Sequence, residues 1–519
     1  MNPEYFLHNL HFDIEKIRPA DWIADWEDAP LPYKLYRGLT IFPLSSEVPL
    51  TLEERRAPAK PGLLEIGHML WYVFGLTQFR QSFHSFDSMF SSRRFVPSGG
   101  GLYPNELYLY LKIDDLPPGV YHYDAAHHRL ILLREGHFDG YLAKALGDRC
   151  DVSACFGTVF VSTMFWKNFF KYNNFAYRLQ GLDTGVLIGQ LLEVSKRFGI
   201  ASGVYFQFLD RAVNHLLGLS EREESVYAVV PLSADHEIAW FAGGNTGEGT
   251  VSAAELCREL PAVRHRHYVR SQKIAEYPML IKLNEVSLLE SIQPYRQPDR
   301  EMIDNSEELT VALPYANRLS YDLASVCRKR FSPGMDFVFG KISELQAAAL
   351  LRESTASFLY RNDLDGDSAN PVSRVSIYGC YYDVEGIPDG AYRYDGNAHE
   401  LRLRRPGDQR YRLQQGMLLD NVNLLQVPIC FHVEGCRDHL TKQLGYRGYR
   451  IQQMEAGMLL QRILLASAAI GLGGHPLLGF NVSLCDEIYK IAAQGKTSLI
   501  QIPVGPYRPH PKLEGSLHG

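Results

Sequence analysis

Apolar and polar positions along this chain fall into one succession of patterns that is run through twice. A helix with a continuous apolar face is predicted over Leu63–Phe74, and again over Ile342–Leu351. A strand follows in each case, Glu106–Ile113 and then Arg374–Tyr382. Each strand leads into a hairpin whose turn is marked by Pro-Gly or Asp-Gly. The next strands are Thr158–Thr163 and Gln426–Val433, followed by long apolar helices over Thr184–Phe198 and Ala456–Ile470, both closed by glycine. The last strands are Val226–Pro231 and Ser498–Val504. Helices mixed with antiparallel strands in this way predict an α+β sandwich.

The two runs share residues as well as pattern. Gly119-Val-Tyr121-His-Tyr123-Asp124 corresponds to Gly390-Ala-Tyr392-Arg-Tyr394-Asp395, 271 residues on. The match extends to His128-Arg-Leu130 against His399-Glu-Leu401, with the histidine taken as one place off strict alignment and His127 as the aligned residue. Tyr177-Arg178 corresponds to Tyr449-Arg450, Asp183-Thr-Gly185 to Glu455-Ala-Gly457, and Gly199–Gly203 to Gly471–His475, all 272 residues on. Several matches in one order with one shift identify an internal duplication. The division expected is an extension over 1–60, a first copy over 61–234, a linker over 235–304 and a second copy over 305–519. The linker contains GGNTGEGT, a loop signal.

Composition narrows the picture without redirecting it. In 519 residues, 46% are apolar and 22% charged, the balance of a globular protein with a substantial core. A net charge of −6 gives no sign of nucleic-acid binding. Eight cysteines without a CxxC pair suggest neither zinc nor a disulfide framework, and are read as reduced thiols of a cytoplasmic enzyme. The longest apolar stretch, Met458–Ile470, contains Gln461 and Arg462, so it is read as a buried helix and not a membrane span. The N-terminus lacks the basic start and apolar run of a signal peptide. No His/Glu set has metal spacing, and His122, His215 and His475 are read as structural.

Four segments are candidates for chemistry. In Arg93-Arg-Phe-Val-Pro97-Ser98-Gly99-Gly100-Gly101-Leu-Tyr103, three glycines let the backbone approach a flat ligand, although a glycine turn entering a strand accounts for them equally well. Lys171-Tyr172 stands before Tyr177-Arg178; alone it reads as the start of an amphipathic helix. Arg328-Lys329-Arg330 offers guanidinium groups suited to phosphate, or a solvated basic run. Gly471-Leu-Gly473-Gly474-His475 ends a helix with more glycine than a cap requires.

Taken together, RRxxPSGGxLYPxELY and GxYxYD resemble the SagB/ThcOx-type (McbC-like) dehydrogenases of the nitroreductase superfamily, over roughly Leu63–Pro231 and Arg328–Pro509. The resemblance implies two nitroreductase-like domains fused into an intrachain pseudo-dimer, FMN as cofactor, and oxidation of thiazoline or oxazoline rings in a ribosomally made peptide. It gives Lys171 and Tyr172 a catalytic role, with Phe175 departing from the Arg usual there. It gives Arg328 and Arg330, and more weakly Arg508, the phosphate; Pro97, Ser98, Gly99 and Gly100 one face of the ring; Gly473 and Gly474 the other. The implied partners are an azoline-containing peptide and either a YcaO-type cyclodehydratase or, on a nonribosomal route, a carrier protein. An NAD(P)H-fed nitro or quinone reductase and a non-catalytic scaffold are the other classes.

The copies are unequal. The place of PSGG in the second copy is held by Ser368-Ala-Asn-Pro371, and that of Lys171-Tyr172 by Gln443-Leu444. The first copy has only Arg55-Arg56 as a clamp. In the superfamily, clamp and PS loop come from opposite subunits. One complete FMN site per chain is therefore expected.

Overall fold

The computed structural model describes the chain except residues 20, 54–59, 83–88, 242–250, 294, 299–308, 357, 367–371, 510–512 and 517–519. The first half contributes β1 (Ile41–Pro43), β2 (Gln78–Ser82), β3 (Met89–Arg93), β4 (Asn105–Leu111), β5 (Gly119–Asp124), β6 (Arg129–Glu135), β7 (Gly157–Met164), β8 (Ala201–Ser202) and β9 (Glu224–Ser233). The second contributes β10 (Thr310–Ala312), β11 (Ser376–Tyr381), β12 (Gly390–Asp395), β13 (Glu400–Pro406), β14 (Ile429–Cys436), β15 (Gly473–Gly474), β16 (Lys496–Gly505) and β17 (Leu513–Ser516). Two seven-stranded sheets result, ordered β1-β6-β5-β4-β7-β9-β8 and β10-β13-β12-β11-β14-β16-β15. These are one topology written twice, in an α+β fold with two nitroreductase-like halves.

The duplication extends to irregularities. β5 slips register against β6 between Val120 and Tyr121, and β12 against β13 between Ala391 and Tyr392. β7 does so between Val161 and Ser162, and β14 between Val433 and Glu434. A bulge bends a strand and re-aims its side chains, so paired bulges mark a shared architecture. One detail of the repeat is corrected here. Tyr123 Oη bonds His128 Nδ1 at 2.9 Å, and Tyr394 Oη bonds His399 Nδ1 at 2.8 Å. Both histidines have positive φ (47° and 53°), so the counterpart of His399 is His128, not His127.

The halves join through two long helices, Ala176–Arg197 and Arg447–Ala469, each buried along nearly all its length. Their apolar residues belong to one core shared by both halves. Contact is backbone to backbone: a Cβ on Gly185 would lie 1.9 Å from Met454 O, and one on Gly457 would lie 2.2 Å from Leu182 O. The matched tyrosines, Tyr177 and Tyr449, stack at 5.7 Å. The matched arginines reach across the join. Arg178 donates to Leu499 O at 2.7 Å and Arg450 to Asp210 at 2.8 Å, with Arg447 on the same carboxylate. Each sheet carries a smaller apolar cluster on its other face.

The ends of the chain cross the join as well. The helix Pro3–Phe12 places His11 against Thr497 of the second half, at 2.9 Å, and β17 pairs with β2 of the first. Among the described residues no helix is long and apolar enough to cross a membrane.

Candidate active site

Elements of both halves enclose a cavity of about 1080 Å³. From the first half come Pro97–Gly101, Lys171, Tyr172 and Asp183; from the second come Cys327–Ser332 and His475–Gly479. Of the residues singled out in the sequence, Pro97, Ser98, Gly99, Gly100, Lys171, Tyr172, Arg328 and Arg330 all line it.

The glycine segment is a tight turn between β3 and β4. Gly100 and Gly101 have φ of 66° and 69°, the left-handed region that glycine enters without penalty. Lys171 and Tyr172 end the short helix Trp166–Tyr172, which stops because Asn173 turns to φ 44°. The turn and the helix end meet closely. A Cβ on Gly100 would lie 2.6 Å from Tyr172 Oη and 2.9 Å from Lys171 Nζ. Burial lowers the Lys171 pKa from its usual value and, with the nearby charge of Asp183, pushes the Tyr172 phenol up to about 12.

Ser98 is occupied differently from the expected contact with a ring. Its hydroxyl donates to Asp183 Oδ2 at 2.6 Å and accepts from the Tyr103 amide at 2.9 Å. The Gly99 amide also donates to Asp183, at 3.2 and 3.3 Å. Burial pushes the Asp183 carboxyl up to about 7, against the opposing pull of those hydrogen bonds.

The basic segment lies on the helix Leu323–Lys329, capped by Asp322, whose carboxylate accepts from the Ala324 and Ser325 amides. Arg330 Nε donates to Phe95 O of the first half at 2.8 Å, and Arg328 Nη2 to Leu50 O at 2.9 Å. Both side chains are thereby held across the join at the cavity wall. Arg93 adds a buried Nε without a hydrogen-bond partner. Together these groups set cationic side chains in the lining of the same cavity as the glycine turn.

Three expected residues are not part of the lining. Gly473 and Gly474 form β15 against β16, and a Cβ on Gly473 would lie 2.4 Å from Pro333, so its lack of a side chain serves packing. The lining is taken up by His475 and the residues after it. Arg508 is exposed, while its neighbours Tyr507 and Pro509 line the cavity. His475 was read as structural; it lines the cavity, accepts from the Gly334 amide at 3.1 Å, and is held neutral by burial with a pKa of about 4.

Sequence reasoning missed Asp183 as a site residue, although the repeat had flagged its position against Glu455. It also missed the N-terminal wall of Ile14, Glu15 and Arg18. That segment is tied to the Lys171 helix by Trp22 Nε1 donating to Phe170 O at 3.0 Å. Trp26 lies 5.3 Å from Lys171 Nζ.

Two of the corresponding places are taken up by other side chains, while Gln443, which stands where Lys171 does, lines a second cavity of about 1310 Å³. Glu455, the counterpart of Asp183, is held by Arg374 and by Tyr360 Oη at 2.9 Å. Gly203, the counterpart of His475, has the Trp240 and Phe241 rings 3.0 Å from where its Cβ would be. Arg55-Arg56 and Ser368–Pro371 lie outside the described residues.

No protein-family profile matches the chain. A crystal structure of a protein from Anabaena variabilis named for the nitroreductases superimposes with a TM-score of 0.74 at 22% identity. It covers 98% of this chain and 99% of its own, so both halves and their join are shared. The protein MJ1384 of Methanocaldococcus jannaschii, also named for the nitroreductases, is 27% identical over 138 residues, 27% of this chain and 68% of its own. The trifolitoxin-processing protein TfxB of Rhizobium leguminosarum bv. trifolii is 30% identical over 142 residues, 26% of this chain. That match spans 37% of TfxB, little more than a third of its length. The fold is nitroreductase-like.

Proposed function

We propose that this chain is an FMN-dependent oxidoreductase that dehydrogenates thiazoline or oxazoline rings within a peptide, using one site built from both halves. The observation that carries the reading is the turn at Gly100, which has no room for a Cβ and meets Lys171 and Tyr172 across the same cavity as Arg328 and Arg330. Those residues fit FMN. A flat ring fits against a turn whose backbone comes forward, and the orphaned Arg93 Nε and the two tethered arginines supply donors for an anionic group. Pro97, Gly99 and Gly100 would face the ring, with the Ser98 hydroxyl holding the turn, and Arg328 and Arg330 would hold the phosphate.

When bound, FMN would accept hydride from the ring Cβ and later pass both electrons to oxygen. The chain's own residues handle the proton. The azoline Cα–H is acidified by the neighbouring imine and carbonyl, and its proton goes to Lys171, whose amine burial makes easier to keep neutral. Tyr172 stays protonated and donates a hydrogen bond to the substrate. Loss of one proton and one hydride leaves the aromatic thiazole or oxazole. The substrate class draws support from the resemblance to azoline dehydrogenases and from a relative named for processing trifolitoxin.

The test is anaerobic mixing of the flavin-loaded protein with a synthetic azoline peptide. Bleaching of the flavin absorbance is expected, with Lys171→Ala and Tyr172→Phe retaining FMN but slowing the bleaching about 10²-fold or more. An unbleached flavin would refute the substrate assignment. Rapid bleaching by NADPH alone would place the chain among nitro or quinone reductases instead.

A further inference from the structure

The glycine turn is anchored from outside itself. Two of its three glycines are in the left-handed region, and Gly101 N donates to Ser98 O at 2.9 Å. What anchors it is a side chain from elsewhere. Asp183, on the central helix Ala176–Arg197, accepts from Ser98 Oγ and from the Gly99 amide, and Ser98 Oγ in turn accepts from the Tyr103 amide. The anchor is thus a buried carboxylate on a long buried helix, gripping the start of the turn directly and its end through Ser98 Oγ.

The duplication provides an internal comparison. Glu455 stands at the same place on the helix Arg447–Ala469, and it too binds the segment packed over its helix. That segment presents Arg374 and Tyr360, which bond the carboxylate at 3.0 and 2.9 Å. A carboxylate at this place binds whatever lies above it. In the first half what lies above it is the glycine turn that lines the cavity.

We infer that Asp183 is a positioning residue that presets the glycine turn for its ligand, and that it acts as the ionised carboxylate. The second part of this follows from the donors. One O–H and one N–H both point at Asp183, which suits two acceptor oxygens better than a protonated acid. Burial raises the carboxyl to about 7, so the anchor tightens as pH rises through neutrality. The other titratable groups at this point are the Tyr172 phenol and the Lys171 amine, facing the turn from the short helix. From other elements, Arg93 comes from the strand before the turn, and Arg328, Lys329 and Arg330 from the second half. The partner helix presents apolar Leu460.

The cofactor arm of the test rests on the FMN reading, so a first arm uses the protein free of flavin. Amide hydrogen exchange is followed at Gly99 and Tyr103 between pH 6 and pH 8. In the parent, protection beyond the intrinsic rate should grow through neutrality. In Asp183→Asn it should be about tenfold weaker at pH 8 and lose that pH dependence, and in Asp183→Ala about a hundredfold weaker. Glu455→Gln should leave both amides unchanged. In the second arm, FMN dissociation constants should rise in the same order, about tenfold and a hundredfold. Unchanged protection in Asp183→Ala would overturn the inference, as would an equal loss in Glu455→Gln. A parent that takes up no FMN, with exchange behaving as described, would leave the positioning role standing and remove the cofactor reading.

Discussion

Replacing Gly100 with alanine perturbs the turn and the Lys171–Tyr172 pair together. The backbone there has φ 66°, where an L-residue costs about 1–2 kcal/mol. The new methyl would sit 2.6 Å from Tyr172 Oη and 2.9 Å from Lys171 Nζ, both ends of side chains that can move. Gly100→Ala should therefore cost only the backbone term in global stability, about 1–2 kcal/mol by urea unfolding. Its larger effect should fall on the site. Displacing both groups by about an ångström should slow turnover about 10²-fold and weaken FMN binding at least tenfold, roughly 1.4 kcal/mol. Gly407→Ala is the control. Its φ of 87° carries a comparable backbone penalty, but nothing lies within 4 Å of its Cβ. It should lower stability and leave flavin binding and turnover alone. The reasoning is refuted if Gly100→Ala binds FMN and turns over like the parent, or if Gly407→Ala impairs the site as much.

At the join, Gly185→Ala would drive a methyl to 1.9 Å from the Met454 carbonyl, a backbone atom that cannot step aside; a loss of about 3 kcal/mol or more is expected by urea unfolding. Asp210→Ala would strip the buried Arg447 and Arg450 of their shared carboxylate and should cost about 3–5 kcal/mol, visible as a fall in the melting temperature. The stability of the flavin-free protein should respond to Asp183 in a direction set by its raised carboxyl pKa. A carboxyl at about 7 when folded, against an ordinary 3.8, favours the folded state at low pH. That advantage is lost as pH rises from about 4 to 7, about 4 kcal/mol in all. Asp183→Asn should accordingly melt higher than the parent at pH 8 and close to it at pH 4, even as it loosens the turn. Equal melting temperatures at pH 8 would count against a buried, ionised Asp183.

What the sequence revealed followed from how local each signal was. The helix Leu63–Phe74 and the core strands were legible because their apolar periods are long and uninterrupted. The duplication was legible because Tyr121 and Tyr392, or Gly185 and Gly457, do the same job in both halves. The central helices were read too short at their N-termini, since Tyr177, Arg178, Tyr449 and Arg450 look polar in sequence yet are buried across the join. The edge strands β1 and β10, three residues each, carry too little pattern to be seen. Asp183 escaped because its role lies in a contact 85 positions away, with Ser98. His475 was read as structural because a lone histidine more often is; it reaches the cavity because β15 delivers it there.

The account's central claim is a single flavin site assembled from unequal halves, and the stoichiometry of FMN binding tests it most directly. Titrating the flavin-free protein with FMN under equilibrium dialysis should saturate at one FMN per chain. Arg330→Ala in the second half and Gly100→Ala in the first should each weaken that same binding event at least tenfold, roughly 1.4 kcal/mol. Two flavins per chain, or one flavin indifferent to either substitution, would contradict it.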